Sequence, residues 1–160
     1  MSQRINYTQQ VPELFQKFLE FSNTLKDSGL IEQNLSYLVD IRASQINGCA
    51  FCLDMHVKEA RLHEERELRL HHVAIWRESP LFSARERAAL LWAETLTTIP
   101  AGGVPDDIYT VVREQFTEKE LTALTYRIMA INGWNRINVA FRATPGSFDK
   151  FLGLDKAGLN

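Results

Sequence analysis

Helical periodicity runs through most of this 160-residue chain, and it constrains the fold more than any other feature. Apolar residues recur every three or four positions in successive segments, and no segment alternates apolar and polar residues as a half-buried strand does. Residues 83–86 (SARE) and 117–120 (TEKE) have the capping-box pattern of helix starts. The predicted helices cover residues 11–25, 32–46, 49–63, 64–76, 83–98, 105–116 and 117–142. The sequence therefore predicts an all-α bundle of about six to seven helices.

Length and composition favour a single domain spanning residues 1–160. A chain of this size with 45% hydrophobic residues can bury a sizeable core but is short for two domains. Its 18 Lys and Arg balance 20 Asp and Glu without a block of like charge, so we expect no nucleic-acid partner and no membrane partner. The N-terminus lacks the apolar core of a signal peptide, and the longest apolar run, residues 88–93, is too short to cross a bilayer. We therefore expect a cytoplasmic protein.

Both cysteines of the chain lie in residues 47–56 (NGCAFCLDMH), which end in a histidine. On a helix, Cys49, Cys52 and His56 share one face. Residues three apart on a helix lie about 5 to 6 Å apart, within the Cα separation that a disulfide tolerates. Closing so short a loop stabilises a fold little, and a reducing compartment disfavours structural disulfides. The pattern therefore predicts a thiol redox site.

The start of this helix bears on which thiol is ionised. We expect Asn47 or Gly48 to cap the helix, which leaves Cys49 in the first turn, where unpaired N–H groups and the helix dipole favour a thiolate. His56 lies one turn beyond Cys52 and is placed to exchange a proton with that thiol. The dipole favours ionisation of Cys49, whereas the histidine favours Cys52, so the spacing leaves the attacking sulfur open.

Other interpretations of the cysteine pair remain. Two small buried residues three apart can simply fill a helix interface. A zinc site is a second alternative, with Cys49, Cys52 and His56 as ligands and a fourth from one of the other histidines. Those candidates are His63, His71 and His72. The chain has no second Cys/His pair at the usual spacing, so the redox interpretation is favoured and no metal is expected.

The last predicted helix is apolar on several faces. It carries Leu121, Leu124, Ile128 and Ile131 on one face and Tyr126, Met129, Ile137 and Phe141 on others. We therefore expect it to be central or to be buried against another subunit, and the tail residues Phe148, Phe151 and Leu152 favour the oligomer. Two polar series, residues 42–47 and 132–138, interrupt apolar surroundings, and we expect them to hydrogen-bond to one another between helices or subunits.

Three segments resemble one known family. Residues 44–52 (SQINGCAFC) with His56, residues 82–90 (FSARERAAL) and residues 131–136 (INGWNR) are similar to the AhpD-like alkylhydroperoxidase branch of the carboxymuconolactone decarboxylase superfamily. The resemblance covers residues 30–142, which we expect to form the domain core. It implies an AhpD-like helical fold, assembly as a homotrimer or homohexamer, and reduction of organic hydroperoxides by a cysteine pair. It implies no cofactor, and an external dithiol or a lipoylated protein as reductant.

The resemblance also implies residue roles. Cys52 would be the peroxidatic thiol, Cys49 the more exposed resolving thiol, and His56 part of a proton relay. The family relay often includes a glutamate twelve residues before the first cysteine, and Tyr37 occupies that position here. Asp40 and Glu59, one helical turn from Tyr37 and His56 respectively, become the candidates for orienting the imidazole.

A second departure is Phe51, which stands between the cysteines where the best-known members have a histidine. The expected function is a thiol-dependent peroxidase. The alternatives are a carboxymuconolactone decarboxylase type of lyase, which needs no redox thiol, and a non-catalytic module that senses redox state or binds zinc.

Overall fold

The computed structural model describes residues 2–159, and all regular structure in that range is helical. The nine α-helices are α1 (Tyr7–Gln10), α2 (Pro12–Asp27), α3 (Gln33–Ile46), α4 (Ala50–Leu62), α5 (Glu67–His72), α6 (Ala84–Thr97), α7 (Asp106–Arg113), α8 (Glu118–Phe141) and α9 (Asp149–Leu152). Short 3₁₀ helices cover Val73–Ile75 and Leu154–Ala157. Within residues 2–159 no helix has the length and apolarity needed to cross a membrane.

The all-α prediction is confirmed, but the predicted number of six to seven helices is too low. The additional helices are the short α1 and α9 near the chain ends. Val11, the residue before Pro12, is not helical (φ −139°, ψ 67°), because a following proline disfavours the helical conformation, and this separates α1 from α2. The predicted helix 64–76 is also shorter than expected, since Glu64 has a left-handed backbone (φ 62°) and α5 begins only at Glu67.

Both predicted capping boxes are present. The Ser83 hydroxyl accepts the Glu86 N–H at 3.2 Å, and the Glu86 carboxylate accepts the Ser83 N–H at 2.7 Å. Thr117 and Glu120 repeat the arrangement at 3.3 and 2.7 Å. Each box supplies partners for N–H groups that the first helical turn leaves unpaired, which fixes the starts of α6 and α8.

Replacing Thr117 by alanine is expected to lower the free energy of unfolding by about 1 kcal/mol, the usual cost of losing such a cap. Urea unfolding followed by circular dichroism measures it. The matched control is Thr122→Ala, because the Thr122 hydroxyl only bonds back to the Glu118 carbonyl within the exposed part of α8. We expect that control to change stability by less than about 0.5 kcal/mol, and equal losses in both variants would contradict the cap.

Helix α3 lies at the centre of the molecule and packs against α4, α6 and α8. One apolar cluster joins α3 to α6, α7 and α8 around Val39, Ala93 and Leu124. A second joins α3 to α4, α5 and α6 around Leu38 and Leu90. Each fully buried aliphatic side chain contributes about 1.5 to 3 kcal/mol. These two clusters hold the helix that precedes the cysteines rigidly against its neighbours.

A third, smaller cluster contains the cysteines themselves. Its buried members are Ala43, Cys49, Phe51, Cys52 and Ile131. Phe148 in the segment after α8 packs edge-on against Phe51, with ring centroids 5.6 Å apart. The cysteine pair therefore lies inside the folded protomer.

One face of α8 is not buried in the protomer. Tyr126, Met129 and Val139 are about half exposed, and Phe151 in α9 is 83% exposed. A fully central position for α8 is therefore wrong. The other expectation, burial of these apolar side chains against a second subunit, stays a prediction.

Candidate functional site

The turn between α3 and α4 sets the position of the first cysteine. Asn47 ends α3, Gly48 adopts a left-handed backbone (φ 63°), and Cys49 is extended (φ −88°, ψ 92°). The expectation that Asn47 or Gly48 caps α4 is wrong, since Cys49 itself is the cap residue. The reason is that the left-handed Gly48 still belongs to the end of α3, so Cys49 is the first residue that can take the extended conformation of a helix cap.

The two thiols are free and buried. The Cys49 sulfur accepts the backbone N–H of Cys52 at 3.4 Å, in the manner of a capping side chain. The Cys52 sulfur accepts a hydrogen bond from Asn138 Nδ2 at 3.3 Å. Exposure is 2% for Cys49 and 0% for Cys52, so the first thiol is only marginally the more accessible.

The pair favours one negative charge, on Cys49. A hydrogen bond from the Cys52 thiol lowers the pKa of Cys49 from 9.0 to about 7, against the opposing effect of burial. The Cys52 N–H and the Asn135 amide act in the same direction. The pKa of Cys52 is raised far above its usual range, because its thiol is the donor to Cys49 and because it is buried. This agrees with the dipole argument from the sequence, whereas the resemblance gave the attacking role to Cys52.

An amide network between α3 and α8 fixes the turn that carries Cys49. Asn47 Nδ2 donates to the side-chain oxygens of Asn132 and Asn135, both at 2.9 Å. Asn135 Nδ2 in turn donates to the Ser44 hydroxyl at 3.1 Å. The expected hydrogen bonding between the two polar series is confirmed, and it lies within the protomer.

His56 is held between two carboxylates. Its Nδ1 lies 2.7 Å from Glu59 Oε2 and 3.6 Å from Asp40 Oδ2. Asp40 is also paired through both carboxylate oxygens with Arg127 of α8. The structure thus brings both candidate orienting residues to the imidazole. The sequence does not predict the role of Arg127, because its only signal is a charge inside an otherwise apolar helical stretch.

Opposite charges favour the ionised forms of His56 and Glu59. Burial alone would lower the pKa of His56, but Asp40 and the hydrogen bond that the imidazole donates to Glu59 outweigh it and raise the pKa above 6.5. Burial would raise the pKa of Glu59, but the hydrogen bond to His56 outweighs it and brings the pKa below 4.5. Both shifts favour an imidazolium paired with the Glu59 carboxylate.

The His56–Glu59 pair predicts a pH window for stability. The Glu59 contribution is present above its unfolded pKa near 4.5 and is lost as pH falls through the lower folded value. The His56 contribution is present below its unfolded pKa near 6.5 and is lost as pH rises through the higher folded value. We expect Glu59→Gln to destabilise the protein most between the two unfolded pKa values, that is, between about pH 4.5 and pH 6.5.

Urea unfolding across pH 4 to 9 measures this difference, and the NMR titration of His56 should show a lower pKa in Glu59→Gln. The control is Glu67→Gln, which removes an exposed carboxylate 3.6 Å from the largely exposed His71. A pH-independent difference for Glu59→Gln would contradict the pairing.

Tyr37 makes no hydrogen bond to His56. Its hydroxyl accepts a hydrogen bond from Gln33 Nε2 at 2.6 Å and lies 3.1 Å from His63 Nδ1. Burial and the nearby Glu59 raise its pKa to about 12. Tyr37 is therefore a neutral hydroxyl near the cluster and does not replace the relay glutamate by bonding to the imidazole.

A cavity of about 600 Å³ opens beside the cluster. Its polar lining includes Tyr37, Asp40, His56, Glu59 and Arg127. Met55, Ile131 and Trp134 line another side, and these three also pack around the cysteines. The cysteines themselves are not among the lining residues.

The histidines weighed as zinc ligands lie elsewhere. His63 bonds to the Glu59 carbonyl, His72 lies 3.0 Å from the Ser79 hydroxyl, and His71 is largely exposed. In the part of the chain that the structure describes, no three His, Cys, Asp or Glu side chains are placed to hold a metal ion.

Comparison with known proteins agrees with the fold. Residues 12–95 match the model of the carboxymuconolactone decarboxylase family. The uncharacterised protein YdfG of Bacillus subtilis (strain 168) is 41% identical over 140 residues, which cover 88% of this chain and 95% of that protein. The chain belongs to the carboxymuconolactone decarboxylase family.

Two solved structures share the fold of this chain. A protein of unknown function from Agrobacterium tumefaciens, for which a role in antioxidant defence as AhpD has been suggested, is 42% identical with a TM-score of 0.86, over 90% of this chain and 98% of that one. Within the family, the protein is of the AhpD-like branch. The debrominase Bmp8 shares the fold, with a TM-score of 0.79 and 19% identity over 94% of this chain and 80% of that one.

Proposed function

We propose that the protein is a cytoplasmic thiol peroxidase that reduces organic hydroperoxides through Cys49 and Cys52. The observation that carries the proposal is the pair of free thiols at the start of α4, where the pKa of Cys49 is lowered to about 7. A thiolate at neutral pH is the form that attacks a peroxide. The second thiol follows the first by three residues at the start of α4, and the Cys52 N–H donates to the Cys49 sulfur at 3.4 Å, so the two are placed for the resolving step.

The proposed reaction has two steps. A thiolate attacks the outer oxygen of the hydroperoxide, the O–O bond breaks, and a sulfenic acid and an alkoxide form. The imidazolium of His56 supplies the proton that converts the alkoxide to an alcohol. The second thiol then displaces the sulfenic hydroxyl, which forms the disulfide and releases water. The charge on Cys49 favours it as the first attacker, and the sum of the steps is the same in either order.

An external dithiol, free or carried as a lipoyl group, would return the disulfide to two thiols. We further propose that the exposed apolar face of α8 and the side chain of Phe151 are covered in a homotrimer or homohexamer. Analytical ultracentrifugation measures that assembly directly, and a monomer at micromolar concentration would contradict it.

Intact mass under denaturing conditions tests the peroxidase. The reduced protein, treated with one equivalent of cumene hydroperoxide, should lose two hydrogens. Cys49→Ser and Cys52→Ser, treated in parallel, identify the attacking sulfur, because only the variant that retains it gains one oxygen. An unchanged mass in all three proteins would overturn the proposal.

One observation favours a second candidate, a lyase of the decarboxylase type. The cavity is lined by the acid and base groups His56, Asp40 and Glu59 and by the Arg127 guanidinium, and not by the thiols. Decarboxylation of a lactone needs such groups and no redox thiol. Loss of ultraviolet absorbance from a carboxymuconolactone, unchanged when both cysteines are replaced by serine, would establish this activity instead.

A further inference from the structure

Hydrogen bonds and a ring stack hold the segment before α2 against the end of α8. The Arg4 backbone N–H donates to the Phe141 carbonyl at 2.9 Å, and Arg4 Nη1 donates to the Ala140 carbonyl at 3.1 Å. The ring of Tyr7 stacks on that of Phe141, with centroids 6.0 Å apart and an interplanar angle of 29°. These contacts satisfy carbonyls that the last turn of α8 leaves unpaired, and they hold Tyr7 beside the site.

From there a chain of two hydrogen bonds reaches the second thiol. The Tyr7 hydroxyl donates to Asn138 Oδ1 at 2.9 Å, and Asn138 Nδ2 donates to Cys52 Sγ at 3.3 Å. Asn138 is 3% exposed and Cys52 is fully buried, so water does not compete for these bonds. These two hydrogen bonds lead from the protein surface, where Tyr7 is half-buried, to the Cys52 sulfur.

The orientation of the Asn138 amide determines whether its N–H group or its oxygen faces the Cys52 sulfur. A carboxamide has a donor end and an acceptor end, and a neutral tyrosine can satisfy the acceptor end with its O–H. With that end engaged by Tyr7, the amide N–H group faces Cys52 and stabilises a thiolate. The reversed amide would present an oxygen, which can only accept and which would favour the protonated thiol.

We propose that Tyr7 is a positioning residue for Cys52, which it activates by holding the Asn138 amide with its N–H group toward the sulfur. This rests on the proposed function only in that Cys52 must act as a thiolate in one of the two steps. If Cys52 attacks the peroxide, the amide stabilises the attacking thiolate. If Cys49 attacks, Cys52 displaces hydroxide from the Cys49 sulfenic acid, and the same N–H group favours loss of its proton.

The pH dependence of alkylation by iodoacetamide tests the role of Tyr7 without any peroxide. The measurement uses the full chain with Cys49→Ser, so that Cys52 is the single thiol and serine keeps a capping side chain at the start of α4. Adding Tyr7→Phe should raise the apparent pKa of Cys52 by about one unit and slow its alkylation about tenfold at neutral pH, as expected for a lost hydrogen bond to a charged group.

The direction of the change in alkylation rate distinguishes a positioning role of Tyr7 from a loss of packing in Tyr7→Phe. A looser N-terminal segment would expose Cys52 and speed alkylation, which would overturn the proposal, as would an unchanged pH profile. The matched control is Tyr109→Phe, which removes the hydroxyl of a half-exposed tyrosine in α7. It should leave both the rate and the profile unchanged.

A double-variant cycle tests whether Tyr7 acts on Cys52 through the Asn138 amide. In an Asn138→Ala background, adding Tyr7→Phe should have no further effect on the alkylation profile, because the amide through which Tyr7 acts is gone. A second tenfold loss there would show that Tyr7 acts by another path. Since no hydroperoxide is used, a negative peroxidase assay would not change this result, and a negative alkylation result would leave the peroxidase proposal standing.

Discussion

Cys52→Ser is expected to consume hydroperoxide at least about a thousandfold more slowly than the native protein, because a catalytic thiol contributes by covalent chemistry that a serine hydroxyl does not perform at neutral pH. Cys49→Ser should lose turnover to the same degree, since neither sulfur alone can complete the disulfide. Peroxide consumption in the presence of a dithiol reductant measures both variants.

The chain has only these two cysteines, so the control for general sulfur oxidation is a methionine. Met129 is 53% exposed on α8, and Met129→Leu should keep the full rate. Full turnover in either cysteine variant would overturn the two-thiol mechanism, even if one sulfur still became oxidised.

Replacing Asp40 by alanine is expected to lower the free energy of unfolding by about 3 to 5 kcal/mol, the range found when one partner of a buried ion pair is removed. Asp40 is 1% exposed and faces both Arg127 and His56. Its loss would leave the largely buried Arg127 guanidinium without its carboxylate. The pKa of His56 should also fall, because Asp40 is the main group that raises it.

Urea unfolding measures the stability loss. Glu20→Ala is the control, because its pair with Lys17 is exposed on α2 and should contribute less than about 1 kcal/mol. The double variant Asp40→Leu, Arg127→Met removes both charges, and we expect it to be more stable than Asp40→Ala. A loss in Asp40→Ala no larger than in Glu20→Ala would contradict the buried pair.

Local features of the fold could be predicted from the sequence, because local contacts determine them. The capping boxes at Ser83 and Thr117 and the closeness of Cys49 to Cys52 depend on residues three apart, and all three are present. The sequence predicts the start of α4 one or two residues too early, because the left-handed Gly48 can either end one helix or cap the next.

For the parts of the site that depend on helix packing, the sequence gives candidate residues but not which of them come together. Asp40 and Glu59 were named from helical spacing, but the convergence of Asp40 with His56 requires the packing of α3 against α4. Arg127 and Tyr7 lie 87 and 131 positions from their polar partners. Nothing in the residues around them specifies those partners, since the approach is made only when α8 packs against α3 and the N-terminal segment covers its end.

The capping contact at Cys49 also bears on the reduction potential of the cysteine couple. A thiolate that accepts the Cys52 N–H stabilises the reduced form of the pair, and a disulfide sulfur is a weaker acceptor that loses most of this benefit. Selective stabilisation of the dithiol makes a couple more oxidising. The disulfide of this protein should therefore be reduced readily even by a mild dithiol, and the protein should spend most of its time in the form that is ready to react.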